Sequence, residues 1–135
     1  MDSYDVKNYV FNELKTVLLA DATMPSGLVV ASAFDTTATT FPRVAFQELS
    51  IATKSFTLDY SNHTKTLIYQ VDIFSKSTAA DTELRKVAKK VNTVLEGTFH
   101  MVQRGSGNLA SIDTVSKRYV MTYVGTFSEL DGKFH

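Results

Sequence analysis

The sequence lacks cysteine altogether. This absence excludes a disulfide framework, a thiolate nucleophile and a thiolate metal ligand, as is typical of a domain that folds in a reducing cytoplasm. Net charge is also missing, because 14 lysines and arginines balance 14 aspartates and glutamates. No global field therefore attracts a polyanion, and nucleic-acid binding would need a local basic patch.

Long hydrophobic runs are absent as well. No stretch approaches the roughly 18 apolar residues that a membrane-spanning helix requires. The first residues, Met-Asp-Ser-Tyr-Asp, are acidic where a secretory signal would be basic. We therefore expect neither a membrane span nor an export signal. What is present is an ordinary globular composition, 44% hydrophobic and 21% charged, which predicts a single domain over residues 1–135.

The N-terminal third of the chain contains one predicted helix and two predicted strands. An apolar stripe at helical spacing predicts an amphipathic helix over residues 5–19 that ends by about Ala22, before Pro25. Short apolar runs predict strands over residues 28–34 and 43–49, and the polar stretch between them predicts an exposed loop. The stripe of the helix consists of Val6, Val10, Leu14, Val17 and Leu18.

The middle of the chain alternates apolar and polar residues over residues 56–60 and again over 67–74, on either side of the polar residues 61–64. This pattern predicts a β-hairpin, because successive side chains of a strand point to opposite faces. The second arm is apolar on one face and mixed on the other, as expected of a central strand that packs on a helix. The predicted core face of this arm is formed by Leu67, Tyr69, Val71 and Ile73.

A second helix is predicted after the hairpin. Thr78 and Asp81 have the spacing of a capping box, and Gly97 stands where a left-handed residue would end the helix at about Glu96. The apolar stripe of this helix consists of Leu84, Val87, Ala88, Val91 and Leu95.

The C-terminal part predicts strands over residues 100–103, 112–115 and 117–127, with a turn at residues 105–108. The order of elements therefore predicts an α+β fold: a mostly antiparallel, mixed sheet with two main helices packed on one face.

No residue pattern points to catalysis. The three histidines, His63, His100 and His135, lack the spacing of helical metal ligands. Residues 105–110 fit the glycine pattern of dinucleotide-binding loops, but a predicted strand follows where that site needs a helix, which favours a plain turn. The carboxylates are dispersed along the chain and are interpreted as solvated side chains. We therefore expect no catalytic residue, cofactor or metal, and no enzyme activity.

One charge cluster lies on the second predicted helix. Arg85, Lys86, Lys89 and Lys90 alternate with the apolar stripe and so cover the outer face of the helix. Two interpretations remain open, a solvated face and a contact patch for an acidic partner or for DNA passing nearby.

Four features follow one another along the chain: the run Phe41-Pro42-Arg43-Val44, the alternating arm that closes on Tyr69-Gln-Val-Asp-Ile-Phe-Ser75, the helix directly after it, and the closing strand Arg118-Tyr-Val-Met-Thr-Tyr123. Together they resemble the small tail-terminator and tail-completion proteins of long-tailed bacteriophages. The resemblance is one of order and texture, and it covers most of the chain.

This resemblance implies a structural virion protein that caps the tail tube as a ring, usually a hexamer, and joins the tail to the head. The implied partners are further copies of the chain, the tail tube protein and the head-closure or connector protein. DNA is implied only as cargo passing through the ring, and a membrane is not implied. In such a ring each subunit presents two different surfaces to its neighbours.

Exposure of polar segments predicts the contact residues of the subunit. Three loops are expected to make contacts, over residues 35–40, 61–64 and 104–108, together with the basic helix face. The candidate residues are Asp35, Thr36, Thr37, Thr39, Thr40, Ser61, Asn62, His63, Thr64, Arg85, Lys86, Lys89, Lys90, Arg104 and Asn108.

Three other functions remain open from the sequence. Other phage neck components, such as head-closure and adaptor proteins, share this size and texture. A small enzyme or ligand-binding domain is the alternative from another class, and a pocket with perturbed titratable groups would favour it. A host regulatory or adaptor module that uses the basic helix face is the third.

Overall fold

The fold is known from a computed structural model, which describes residues 3–32, 41–55, 64–76, 80–109, 117–129 and 131–135. These residues form two helices and a six-stranded mixed sheet, so the predicted α+β class is confirmed. In chain order the elements are α1 (Ser3–Ala20), β1 (Val29–Ala31), β2 (Arg43–Ser55), β3 (Thr64–Ser75), α2 (Ala80–Phe99), β4 (Val102–Leu109), β5 (Lys117–Ser128) and β6 (Lys133–Phe134).

The sheet is mostly antiparallel. Its strand order is β1-β2-β3-β5-β4, and β6 pairs with β5 outside this path. Only the β1–β2 pair is parallel among the described strands. The predicted second arm of the hairpin is part of β3, which pairs antiparallel with β2 from Arg43 opposite Phe74 to Ser55 opposite Thr64. The predicted first arm, residues 56–60, lies outside the described residues. Thr64, expected in the hairpin loop, is the first residue of β3 instead.

Both helices pack on one face of this sheet, as predicted. The alternation of β3 places Leu67, Tyr69, Val71 and Ile73 under the helices, and all four are fully buried. The stripes of α1 and α2 close over them, because residues three and four apart share one helix face. Burial of this apolar surface, at about 25 cal/mol per Å², is the main stabilising contribution. The core includes Val6, Val10, Leu14, Leu18, Leu84, Val87, Val91 and Leu95.

The predicted end of α2 at Gly97 is wrong. The helix continues to Phe99, which is buried in the core, and the gain from burying this ring outweighs the weak helix propensity of glycine. His100 adopts the left-handed conformation instead, with a φ of 55°. The amide of Met101 then donates a hydrogen bond of 3.0 Å to the carbonyl of Leu95, which satisfies a free helix terminus.

The predicted turn at residues 105–108 is also wrong. These residues form the middle of β4, which pairs with β5 over its whole length. Ladder hydrogen bonds to a long neighbouring strand override the local turn preference of the Gly-Ser-Gly-Asn sequence. A register shift between Gln103 and Gly105 leaves Arg104 as the extra residue of a β-bulge.

Gly125 of β5 lies on the helix-covered face, where its backbone is close to the Met101 side chain. A Cβ atom on Gly125 would come within 2.8 Å of Met101 Cγ, a buried side chain. We therefore expect Gly125→Ala to lower the free energy of unfolding by about 1–3 kcal/mol, as other overpacked cores do. Chemical denaturation measures this difference.

Gly97→Ala is the matched control for that substitution. Gly97 is helical and exposed, and a Cβ atom there meets nothing within 4 Å. Alanine should therefore stabilise α2 by about 0.5–1 kcal/mol, because its backbone loses less conformational entropy on folding than that of glycine. Equal effects of the two substitutions would show that Met101 does not crowd Gly125.

Candidate interaction surfaces

The face of the sheet opposite the helices differs between its two ends. At the end formed by the last residues of β3, Asp72 is fully buried although it is charged. Its carboxylate accepts hydrogen bonds from Arg118 Nη2 and Gln70 Nε2, each at 2.9 Å. The Arg118 guanidinium also lies 5.6 Å from the centre of the Phe74 ring. The expectation that this carboxylate is solvated is therefore wrong, because it is paired in the way that a buried charge requires.

The other end of the same face carries apolar side chains. Ile68 and Val124 are cross-strand neighbours in β3 and β5, and Val102 of β4 lies opposite Val124. Leu49 is the extra residue of a bulge in β2, next to the pairing of Ser50 with Ile68. Val102 is 61% exposed and Leu49 is 51% exposed. We call Leu49, Ile68, Val102 and Val124 the apolar patch.

One edge of the sheet is formed by two strands placed end to end. β4 pairs with β5 from Leu109 opposite Arg118 to Val102 opposite Val124, and β6 then pairs with Phe127 and Ser128. No described residue pairs with the outer side of either strand. β4 contains no proline and no lysine, and its charged bulge at Arg104 lies towards the β6 end, so residues 106–109 lack these usual protections of an exposed edge. Within the described residues, the outer backbone donors and acceptors of this edge are therefore unpaired.

An aromatic pocket of about 400 Å³ opens beside β6, between the start of α1 and the end of α2. Its rings contact one another edge to face, with centroids 5.8 Å apart for Tyr9 and Phe99 and 5.0 Å apart for Phe99 and Phe134. His100 and Lys133 add polar groups at its margin. Such a pocket suits an apolar side chain of a partner or a small apolar ligand.

The basic cluster lies where the sequence predicts it, on the outer side of α2. Arg85, Lys86 and Lys89 are exposed, and no ion pair is present for them within the described residues. Lys90 is half-buried, and its Nζ lies 3.0 Å from Asp21 Oδ2. These lysines, with Asp21, border a shallow depression between α2 and the segment after α1.

The pKa of the Asp21 carboxyl is lowered to about 2, first by hydrogen bonds from the hydroxyl and amide of Thr23 and then by Lys90. Because the folded-state pKa lies below the unfolded one, this carboxylate stabilises the fold above about pH 4 and loses its contribution as the pH falls towards 2. We expect Asp21→Asn to lower the melting temperature at pH 7, and the difference from the unsubstituted protein to shrink between pH 4 and pH 2. A constant difference over this range would contradict the assignment.

A second titratable group, Glu48, lies on the helix-covered face of β2 opposite Tyr69. Burial raises the pKa of the Glu48 carboxyl, and Lys7 partly offsets this effect. Burial also raises the pKa of the Tyr69 hydroxyl, with a smaller contribution from Glu48. Because the Tyr69 ring is closed off beneath the helices, this pair is interpreted as part of the core.

The structure describes only some of the predicted contact residues. Residues 35–40 and 61–63 lie outside the described part of the chain. Arg104 is exposed on the open edge, in the bulge of β4. Asn108 belongs to the same strand, where its backbone pairs with Tyr119. The segment 104–108, expected as a loop, is thus part of an edge strand.

Sequence reasoning missed the aromatic pocket and the apolar patch. Each joins residues that are far apart in the chain, so no local spacing reveals them. Within the described residues, no group of three or more histidine or carboxylate side chains is placed to hold a metal ion. Neither described helix is long and apolar enough to cross a membrane.

No protein-family model matches the chain, and no curated protein gives a match either.

Proposed function

We propose that this chain is a structural virion protein, which caps a phage tail tube as a ring of identical subunits and forms the joint between tail and head. It acts by burying its own surfaces against neighbours and makes or breaks no covalent bond. The observation that carries the proposal is the uneven sheet: helices cover one face, while the other face keeps an apolar patch beside an open strand edge.

The apolar patch supports an assembly role because of its place in the sheet. Exposed leucine or valine side chains are unremarkable when scattered, but four neighbours across β2, β3, β5 and β4 form one contiguous surface. Contiguous apolar surface beside polar residues is typical of protein contact sites. In the proposed joint, two proteins are available to cover this patch: the tail tube protein at one end and the head connector at the other.

Balanced charge supports assembly from identical copies. The formal net charge is zero, so copies do not repel one another over long distances. The exposed basic cluster on α2 is proposed to face either an acidic surface of a neighbour or the DNA that passes through the ring. Salt would weaken the second kind of contact steeply.

Deletion of the gene from its phage tests the proposal. Without a terminator, polymerisation of the tube has no stop, so overlong tails without heads are expected in electron micrographs. Tails of normal length that fail to join heads would assign the chain to the joining step instead. Infectious particles with normal tails, produced at the normal yield, would contradict both roles.

A plasmid copy of the gene is the control for that deletion. It should restore tails of normal length and the full yield of infectious particles. A copy with an early stop codon should restore neither, which separates loss of the protein from damage to neighbouring genes.

A further inference from the structure

The two edges of the sheet are unlike each other. One is formed by β4 and β6, and the other is β1, a three-residue strand parallel to β2. No described residue pairs with the outer side of β1. A sheet with two unpaired, dissimilar edges is able to join head to tail, whereas an edge that pairs with its own copy gives a closed dimer.

We infer that adjacent copies of this chain join edge to edge, with β1 of one copy adding to β4 of the next, so that one sheet continues through the assembly. This inference rests on the proposed ring and specifies its subunit contact. The occupant of the open β4 edge is thus a second copy, which brings the other unpaired edge of the same sheet.

Strand direction supports this pairing. β1 runs parallel to β2, and the pairs β2–β3, β3–β5 and β5–β4 are all antiparallel. β1 and β4 therefore run in opposite directions. In a cyclic ring all copies point the same way along the axis. When that axis follows the strands, β4 meets the neighbouring β1 as an antiparallel pair, which is the more stable ladder per residue.

The register of the sheet indicates which residues meet. One row across the sheet joins Ala31, Ala45, Asp72, Val120 and Gly107, from the β1 edge to the β4 edge. If the sheet continues at the same level, Ala31 of one copy lies opposite Gly107 of the next. Both residues are small, so the two backbones are free to approach to hydrogen-bonding distance.

The β4 edge is also sterically open at this point. A Cβ atom on Gly105 or Gly107 would meet nothing within 4 Å. The bulge at Arg104 lies nearer the β6 end, so it leaves residues 106–109 as an uninterrupted edge. With Ala31 opposite Gly107, the three residues of β1 lie opposite residues 107–109 of this segment.

Cysteine cross-linking tests the contact, and the cysteine-free sequence makes each introduced thiol unique. The variants are Ala31→Cys and Gly107→Cys, prepared separately. Opposite residues of antiparallel strands have Cα atoms about 4.5–5.5 Å apart, which is within disulfide range. Oxidation of the mixture should give a covalent dimer, whereas neither variant alone should do so. A chain with both substitutions should give a ladder of covalent oligomers.

Lys15→Cys is the matched control, because it places an exposed thiol on α1, outside both edge strands. Mixed with Ala31→Cys, it should give no dimer above background. A dimer formed by Gly107→Cys alone would overturn the inference in favour of β4 pairing with itself. Rings that form without any 31–107 disulfide would overturn the edge contact but leave the proposed function intact. If neither rings nor the disulfide form, both the edge contact and the proposed function are contradicted.

Hydrogen exchange of the unsubstituted protein checks the result without mutation. As the protein concentration rises, the exchange rate of the amides of residues 29–31 and 107–109 should fall to about one tenth or below, because pairing places these amides in ladder hydrogen bonds. Protection at these two segments that does not depend on concentration would contradict the inference.

Discussion

Replacing Asp72 with alanine is expected to lower the free energy of unfolding by about 3 kcal/mol, because it deletes the fully buried carboxylate that pairs with Arg118. Asp72 is fully buried, and its partner Arg118 is 19% exposed. The substitution also removes the acceptor of the Gln70 amide. Denaturant unfolding, followed by circular dichroism, measures the loss.

Asp81→Ala is the control for this prediction. Asp81 also pairs with a cation, Lys117 at 3.1 Å, but both side chains are more than half exposed. Solvent screens such a pair, so its loss should cost less than about 1 kcal/mol. If Asp72→Ala and Asp81→Ala destabilise the protein equally, burial does not set the strength of the Asp72 pair.

A double substitution separates the pair from its surroundings. Asp72→Leu with Arg118→Leu removes both charges, so the double variant should be more stable than Asp72→Leu alone. If the change in unfolding free energy of the double variant equals the sum of the changes for Asp72→Leu and Arg118→Leu, the carboxylate and the guanidinium do not stabilise each other.

Val102→Glu should abolish function while leaving the fold intact. Val102 is the most exposed member of the apolar patch, so the substitution should change the free energy of unfolding by less than about 0.5 kcal/mol. In an assembled joint the same carboxylate would be buried without a partner. A penalty of about 2.7 kcal/mol corresponds to a hundredfold loss, which we expect in the yield of infectious particles in the complementation assay.

Asn12→Glu controls for the added charge. Asn12 is exposed on α1, in the helical layer and away from the apolar patch. Its substitution should leave the particle yield within about threefold of normal, since isolated surface changes are usually mild. A full particle yield with Val102→Glu would show that the apolar patch is not a contact surface of the joint.

Periodicity predicted the parts of the fold that bury one face. The helices, the second arm of the hairpin and the core face of β3 follow from apolar residues at spacings of two or of three and four, because those spacings match element geometry. The closing strand was predicted over residues 117–127 and extends to Ser128. These features depend on local sequence together with burial, so a single sequence contains enough information to predict them.

The failures share a physical cause. Gly97 and the Gly105–Gly107 segment were interpreted from local backbone preference, but burial of Phe99 and pairing with β5 decided the outcome. Local sequence also predicts a solvated Asp72, because nothing in its strand reveals Arg118, which lies 46 positions later. Long-range contacts of this kind override propensities of about 1 kcal/mol.

The candidate surfaces were predictable only in part. The basic cluster followed from helical spacing, and Arg85, Lys86 and Lys89 are exposed as expected. The apolar patch and the open β4 edge depend on strand order, which local sequence patterns do not reveal. Exposure of a loop is a local property, whereas an unpaired edge is a property of the whole sheet.

Cryo-electron microscopy of the joint between head and tail in purified virions tests the central claim most directly. We expect a closed ring at the top of the tail tube, in which each subunit has the density of this six-stranded sheet and its two helices. Infectious virions whose joint contains no copy of this chain would contradict it.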